Sequence, residues 1–227
     1  MLQYIKNDFV LLPQIQNSII MENLIEILKQ FDQERTKRHG SWNEAALIET
    51  IRPLAEKILC NGYFLVDGKY IIDLGSIELY YHEEEGDIKD EKMYHINKHL
   101  PKNYKEMFKH DGGYPYFRIG SFNMHQSGVD ITFENQEQKY RAAFLIRSYR
   151  VLMTTEDFVN KDIKYDPYST HIYDDLFYSG LLLSTNERTT IEWIEYDKGG
   201  EIEQMPRKNI EDTRLWQFRR KGITEKK

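Results

Sequence analysis

The run Tyr70-Ile71-Ile72-Asp73-Leu74-Gly75-Ser76-Ile77-Glu78-Leu79-Tyr80-Tyr81 constrains the fold of this chain more than any other segment. It is largely apolar at odd and even positions alike, so a strand built from it has no face to give to water. The rest of the chain must cover both sides, which calls for a sheet with further elements packed on it. Strict alternation puts Glu78 on the face of Ile72, Leu74 and Tyr80. A carboxylate there is costly unless it is paired or takes up a proton. Two uses fit: a structural ion pair, with Arg147 as partner, or a general base whose pKa burial raises toward neutrality. Arg147 poses the same question from the other side. It is the cation in Ala142-Ala143-Phe144-Leu145-Ile146-Arg147-Ser148-Tyr149, either paired within the sheet or presented to an anion.

The chain has 227 residues, 40% of them hydrophobic and 30% charged. That length fits one large or two small domains, and a single core of this size needs no cross-links. A single cysteine, Cys60, leaves no disulfide framework and no multi-cysteine zinc site. A reducing cytoplasm is the expected compartment. No apolar run reaches the ~18–20 residues of a membrane span, so no membrane partner is expected. The formal charge of −6 argues against a general nucleic-acid coat. The charge is unevenly spread, however. From Pro206 to Lys227 eight basic residues face three acidic ones, a net of +5, which leaves −11 on the rest. Much of that lies in Glu83-Glu84-Glu85-Gly86-Asp87 and Asp90-Glu91.

Residues 1–20 lack the pattern of a signal peptide and read as an irregular arm. Helical spacing follows at Leu24, Ile25, Ile27, Leu28 and Phe31. Ser41-Trp42-Asn43-Glu44 has the form of a capping box. It opens a second helix with Leu47, Ile48, Ile51, Leu54, Ala55, Ile58 and Leu59 on one stripe and Pro53 inside it. Tyr63–Val66 and Lys69–Tyr81 read as a hairpin around Asp67-Gly68. Tyr114–Phe122, Val129–Phe133 and Tyr140–Leu152 read as strands. Asp166-Pro167 reads as a helix start running toward Gly180. Ile191–Tyr196, Glu201–Gln204 and Leu215–Arg219 complete the sheet. The expected fold is α+β: a single domain with a curved, mostly antiparallel sheet surrounded by helices.

His95 and His99 are four apart and share a helical face, with His82 and Glu83–Glu85 upstream. Imidazole with carboxylate suits a metal, which makes a metal-dependent hydrolase an alternative. The glutamate of the zinc-protease His-Glu-x-x-His motif is missing, though. Tyr114, Tyr116, Phe117 and Phe122 form an aromatic stripe beside Met124 and His125, in a stretch bounded by Gly120 and Gly128.

The order of these motifs resembles the alkyladenine (3-methyladenine, methylpurine) DNA glycosylase family. Ile77-Glu78-Leu79-Tyr80 is similar to that family's Thr-Glu-Ala-Tyr catalytic strand. Tyr94-His95, then Pro101-Lys102-Asn103 and Met107-Phe108, looks like its His…Pro-Arg-Asn…Met-Phe segment. Tyr114-Pro115-Tyr116 resembles Tyr-Val-Tyr, and Phe122-Asn123-Met124-His125 resembles Tyr-Gly-Met-His. Phe144-Leu145-Ile146-Arg147 resembles Leu-Leu-Ile-Arg. Pro206-Arg207-Lys208-Asn209-Ile210 and Trp216-Gln217-Phe218 look like the closing Pro-Arg-x-Gly-Ile and Trp-Arg-Phe-Tyr. On this resemblance residues 46–227 form the glycosylase-like domain, and residues 1–45 are an added arm and helix.

The resemblance implies base-excision DNA repair without metal or cofactor, by a monomer acting on damaged double-stranded DNA. A damaged purine, alkylated or deaminated, is flipped out and its bond to the sugar is hydrolysed. Glu78 would be the general base. Tyr80, His95, Tyr116 and Asp130 would line the base pocket. Phe122 or Met124 would be the wedge that fills the vacated stack. Arg147 and Arg207 would hold phosphate or orient the site. A catalytically divergent, glycosylase-fold binding protein is the other reading of the same resemblance. Binding DNA at this net charge requires the basic C-terminal segment and Arg147 to share a face with Glu78, while Glu83–Glu91 points away.

Overall fold

The computed structural model describes residues 22–93, 116–125, 128–152, 167–170, 191–208 and 210–226. Helix α1 (Glu22–Lys37) leads through a 3₁₀ turn at His39–Ser41 into helix α2 (Glu44–Cys60). Among the described residues eight strands follow: β1 (Gly62–Val66), β2 (Tyr70–Glu83), β3 (Phe122–His125), β4 (Gly128–Thr132), β5 (Tyr140–Leu152), β6 (Ile191–Glu195), β7 (Ile202–Met205) and β8 (Gln217–Arg220). They form one sheet in the order β3-β4-β5-β2-β1-β6, with β8 also on β2 and β7 on β8. Every strand pairing is antiparallel. The chain is therefore α+β with an open, antiparallel sheet and few helices. Among the described residues no helix is long and apolar enough to cross a membrane.

The capping box is replaced by a neighbour. Asn43, in extended conformation, caps α2 by accepting the Ala46 N–H at 3.0 Å. Ser41 instead closes the 3₁₀ turn, where its N–H bonds the Arg38 carbonyl at 2.8 Å. The apolar stripe of α2 is buried as its spacing predicts, except that Ile48 is only partly so, and Leu24, Leu28 and Phe31 of α1 join the same core cluster. The β1–β2 hairpin turns at Asp67 and Gly68, both at positive φ (52° and 63°), with the Lys69 N–H on the Val66 carbonyl at 3.0 Å; Val66 pairs with Tyr70, so Lys69 is a third loop residue.

Two expected elements differ. Tyr116–Ser121 is not a strand but an irregular segment turned at Gly120, whose φ of 78° breaks extension, and pairing begins only at Phe122. Tyr168 and Ser169 are not helical either; they form β-bridges to Glu225 and Tyr149. Tyr168 is held there by its own phenol, which donates to Asp73 at 2.6 Å, and by its N–H on the Thr224 carbonyl. Pro167 and Thr170 are not helical either, and Asp166 and residues 171–180 lie outside the described residues.

The decisive feature is a double slip at the centre of β2 and β5. Leu74 faces Tyr149, Ser76 faces Ser148, and Ile77 faces Ile146, so Gly75 and Arg147 each fall out of register. An extra residue reverses the in-and-out alternation that follows it. On β2 the core-facing set changes from Ile72 and Leu74 to Ile77, Leu79 and Tyr81. On β5 it changes from Ala142, Phe144 and Ile146 to Tyr149 and Val151. Glu78 therefore does not share a face with Ile72 and Leu74. It lies on the opposite face, with Asp73, Ser76 and Tyr80. Gly75 makes this possible: a Cβ there would stand 2.5 Å from the Tyr168 ring and 2.7 Å from the Ser148 hydroxyl.

Candidate functional site

The face opposite the helices carries a buried polar layer along β2. At one end Asp73 binds Arg150 (2.7 Å), Lys198 (2.8 Å) and the Tyr168 hydroxyl. Burial pushes the Asp73 carboxyl up, but Lys198, Arg150 and Arg220 outweigh it and the net direction is down. In the middle the Ser76 and Ser148 hydroxyls meet at 2.7 Å, and Ser76 donates to Glu225. Glu225 also pairs with Lys208.

Glu78 comes next and is fully buried. One carboxylate oxygen, Oε1, accepts the backbone N–H of Lys208 at 2.6 Å. The other, Oε2, meets Arg147 Nη2 at 2.6 Å and accepts the Tyr80 hydroxyl at 3.3 Å. The Arg147 side chain keeps 19% of its surface exposed and Tyr80 is half-buried, so these two form the edge of the site. Burial works against the Arg147 charge, yet the Glu78 bond holds its pKa above the usual value. Burial and the Glu78 charge together push the Tyr80 phenol up.

Arg207 packs beneath this edge. Its guanidinium lies 4.6 Å from the Tyr80 ring centroid and 5.2 Å from that of Trp216. It is fully buried, and it pairs with Asp90 at 2.6 Å and with Asp212. Of its two expected roles, only orienting the site is open to it, because no phosphate reaches a guanidinium enclosed in this way.

The remaining expected residues are scattered. Asp130 is buried on β4, opposite Leu145, which in turn faces Glu78; Asn123 donates to it at 3.4 Å. Tyr116 is elsewhere: Arg141 lies 4.0 Å over its ring. Arg141 faces His82, four residues along β2 from Glu78, or roughly 13 Å. Phe122 is not a free wedge. Its ring packs edge-on against Phe64 at 5.2 Å and rests on the core, because its register partner Ile131 points inward. Met124 lies on β3 with only its backbone described, and His95 and His99 lie outside the described residues. Among the described residues no group of three His, Cys, Asp or Glu side chains is placed to hold a metal.

The charge condition for DNA is half met. Arg147 and Lys208 do share the Glu78 face. But six of the eight basic residues after Pro206 have acidic partners: Arg207, Lys208, Arg214, Arg219, Arg220 and Lys221. The acidic run does not point away as a block. Asp90 is clamped by Arg207 and Arg214, Glu83 by Arg35, and Glu85 by Lys139.

Sequence reasoning missed the polar face as a unit. Asp73 was visible as a second acid in an apolar run, but the partners that explain it come from four other segments. Gln217, which faces Glu78 across the β2–β8 pairing, carried no signal at all. No protein-family model, curated protein or solved structure matches this chain.

Proposed function

We propose that this protein is a glycosylase-like hydrolase, of the alkyladenine DNA glycosylase type, that cleaves the N-glycosidic bond of a damaged purine in DNA. The observation that carries the reading is the Glu78 carboxylate, fixed by Arg147 and the Lys208 N–H immediately behind the half-buried ring of Tyr80. A general base must be held in one orientation within reach of the water it activates. Two short donors supply that orientation here. Tyr80, itself backed by the Arg207 guanidinium, offers a flat ring of fixed tilt on which a flipped base can stack. Arg147 is partly exposed beside the carboxylate, and in this reading it would face the sugar and its phosphates.

The test is release of free base from duplex oligonucleotides carrying hypoxanthine or 3-methyladenine. The wild-type protein is expected to release base in single turnover, and Glu78→Gln to abolish release while keeping its fold. No release across a panel of damaged purines by pure wild-type protein would remove the reading.

The second reading is a binding protein of related fold without turnover. The complete burial of Glu78 and the internal pairing of the basic segment favour it. It predicts retention of damaged duplex without base release, and equal retention by Glu78→Gln.

A further inference from the structure

The row of the sheet that holds Glu78 is mostly polar from β3 to β8, beyond which Met205 of β7 faces Gln217. Asn123 faces Asp130, Asp130 faces Leu145, Leu145 faces Glu78, and Glu78 faces Gln217. Directly opposed residues of an antiparallel pair project to the same face, about 5 Å apart at Cβ. Four hydrogen-bonding side chains and one leucine thus line a single strip across five strands.

Gln217 is the odd member. It is fully buried, and among the described residues neither the oxygen nor the nitrogen of its amide has a hydrogen-bond partner. Its neighbours in sequence, Trp216 and Phe218, both enter the apolar core, which leaves its own side chain on the Glu78 face. Two more buried donors beside Glu78 are unmatched as well: Nε of Arg147, which pairs with Glu78, and Nε of Arg207, which lies against Tyr80. A buried amide left unmade is costly, and native proteins seldom keep one without a purpose. Nothing about strand pairing demands it, since leucine fills the same volume.

We propose that Gln217 is a ligand-reading residue of the Glu78 site, pairing through its amide with a ligand edge that offers a carbonyl beside an N–H. The amide presents one donor and one acceptor side by side, the complement of a lactam edge. A site built to pair such an edge discriminates strongly against analogues that lack it, because its own polar atoms then stay unmatched. The inference rests on the proposed function for the kind of ligand, a nucleobase. It adds which part of the base is recognised and by what.

The test is binding of free bases to the full-length protein by heteronuclear NMR titration, with base release measured separately. Hypoxanthine carries the lactam edge; 6-methoxypurine has the same ring system with that edge blocked. Wild-type protein is expected to bind hypoxanthine at least tenfold more tightly than 6-methoxypurine. Gln217→Leu should lose that preference while melting at a temperature no lower than wild type, and Gln217→Glu, which keeps an acceptor, should keep part of it. Equal binding of hypoxanthine by wild type and a folded Gln217→Leu would overturn the inference and leave the hydrolase reading standing. So would failure of wild type to bind or to discriminate, in which case the amide holds ordered water only. Discrimination that depends on Gln217, without base release from DNA, would support the inference and remove the hydrolase reading.

Discussion

At the scale of single residues, the interaction that defines the site is the Glu78–Arg147 pair. Its carboxylate is enclosed and its guanidinium is partly open, an asymmetry that sets what mutation does. Removing the guanidinium leaves an uncompensated charge in the interior, with only the Lys208 N–H and the Tyr80 hydroxyl to hold it. Breaking a buried pair in this way costs about 3–5 kcal/mol, more than the intact pair contributes over apolar replacements. Arg147→Met is therefore expected to destabilise the protein by about 3 kcal/mol, read as a lower urea midpoint at unchanged slope. The double variant Arg147→Met/Glu78→Leu should recover most of that loss, because no buried charge remains. If the double variant is no more stable than Arg147→Met, Glu78 is not held chiefly by this pair.

At the scale of elements, the sheet is governed by the matched slip at Gly75 and Arg147. Without it, one polar face would run straight through the core. Gly75→Ala is expected to cost more than the ~1 kcal/mol typical of point changes, because its methyl would enter the space of Tyr168 and Ser148. Thermal unfolding measures this. A loss below ~0.5 kcal/mol would mean that the slip tolerates side chains. The same element shows what the sequence could and could not convey. The need to cover both faces of Tyr70–Tyr81 was legible from composition, and so were the β1–β2 hairpin and the stripe of α2, since each depends on local spacing and turn residues. The pairing of Glu78 with Arg147 was legible as one of two options, because a buried carboxylate needs a cation. Which face Glu78 takes was not legible. Alternation predicts it only while the register holds; Gly75 is the one mark of the slip in β2, and nothing in the sequence of β5 marks its counterpart at Arg147. For the same reason Asn43 displaced Ser41 as the cap of α2: both are good caps, and the choice depends on where the preceding turn ends.

At the scale of the whole molecule, acids and bases are interleaved rather than segregated. The basic C-terminal segment closes over the polar face, bound partly to its own Asp212 and Glu225 and partly to acids elsewhere in the chain, including Asp73 and, from the acidic run, Asp90. The net charge of −6 therefore describes a tightly paired surface and interior, and its main consequence is for stability against pH. On the acid side, burial raises the carboxyls of Asp212 and Glu225, but bonds from Arg214 and Arg207 to the first, and from Lys208 and two serines to the second, depress both overall. Burial likewise depresses His82, below its ordinary 6.5. A group depressed in the folded state is protonated first in the unfolded chain, so its contribution is complete above its ordinary value and fades as pH falls through the folded value. On the alkaline side the signs reverse. Burial, with Glu78, Asp73 or Asp32 nearby, raises the phenols of Tyr80, Tyr168 and Tyr140 above their ordinary 10.0. Their contribution is complete below that value and is lost as the unfolded chain ionises above it. Burial also raises the Cys60 thiol above its ordinary 9.0. Stability is thus expected to be level between about pH 6.5 and 9, to fall gently below 6.5 and more steeply below about 4, and to fall again above 9. Urea titration from pH 3 to 11 measures the profile. Asp212→Asn should flatten the steep acid limb and leave the alkaline limb unchanged. A single maximum near pH 5, or an alkaline limb absent up to pH 11, would contradict the pairing and burial described for these groups.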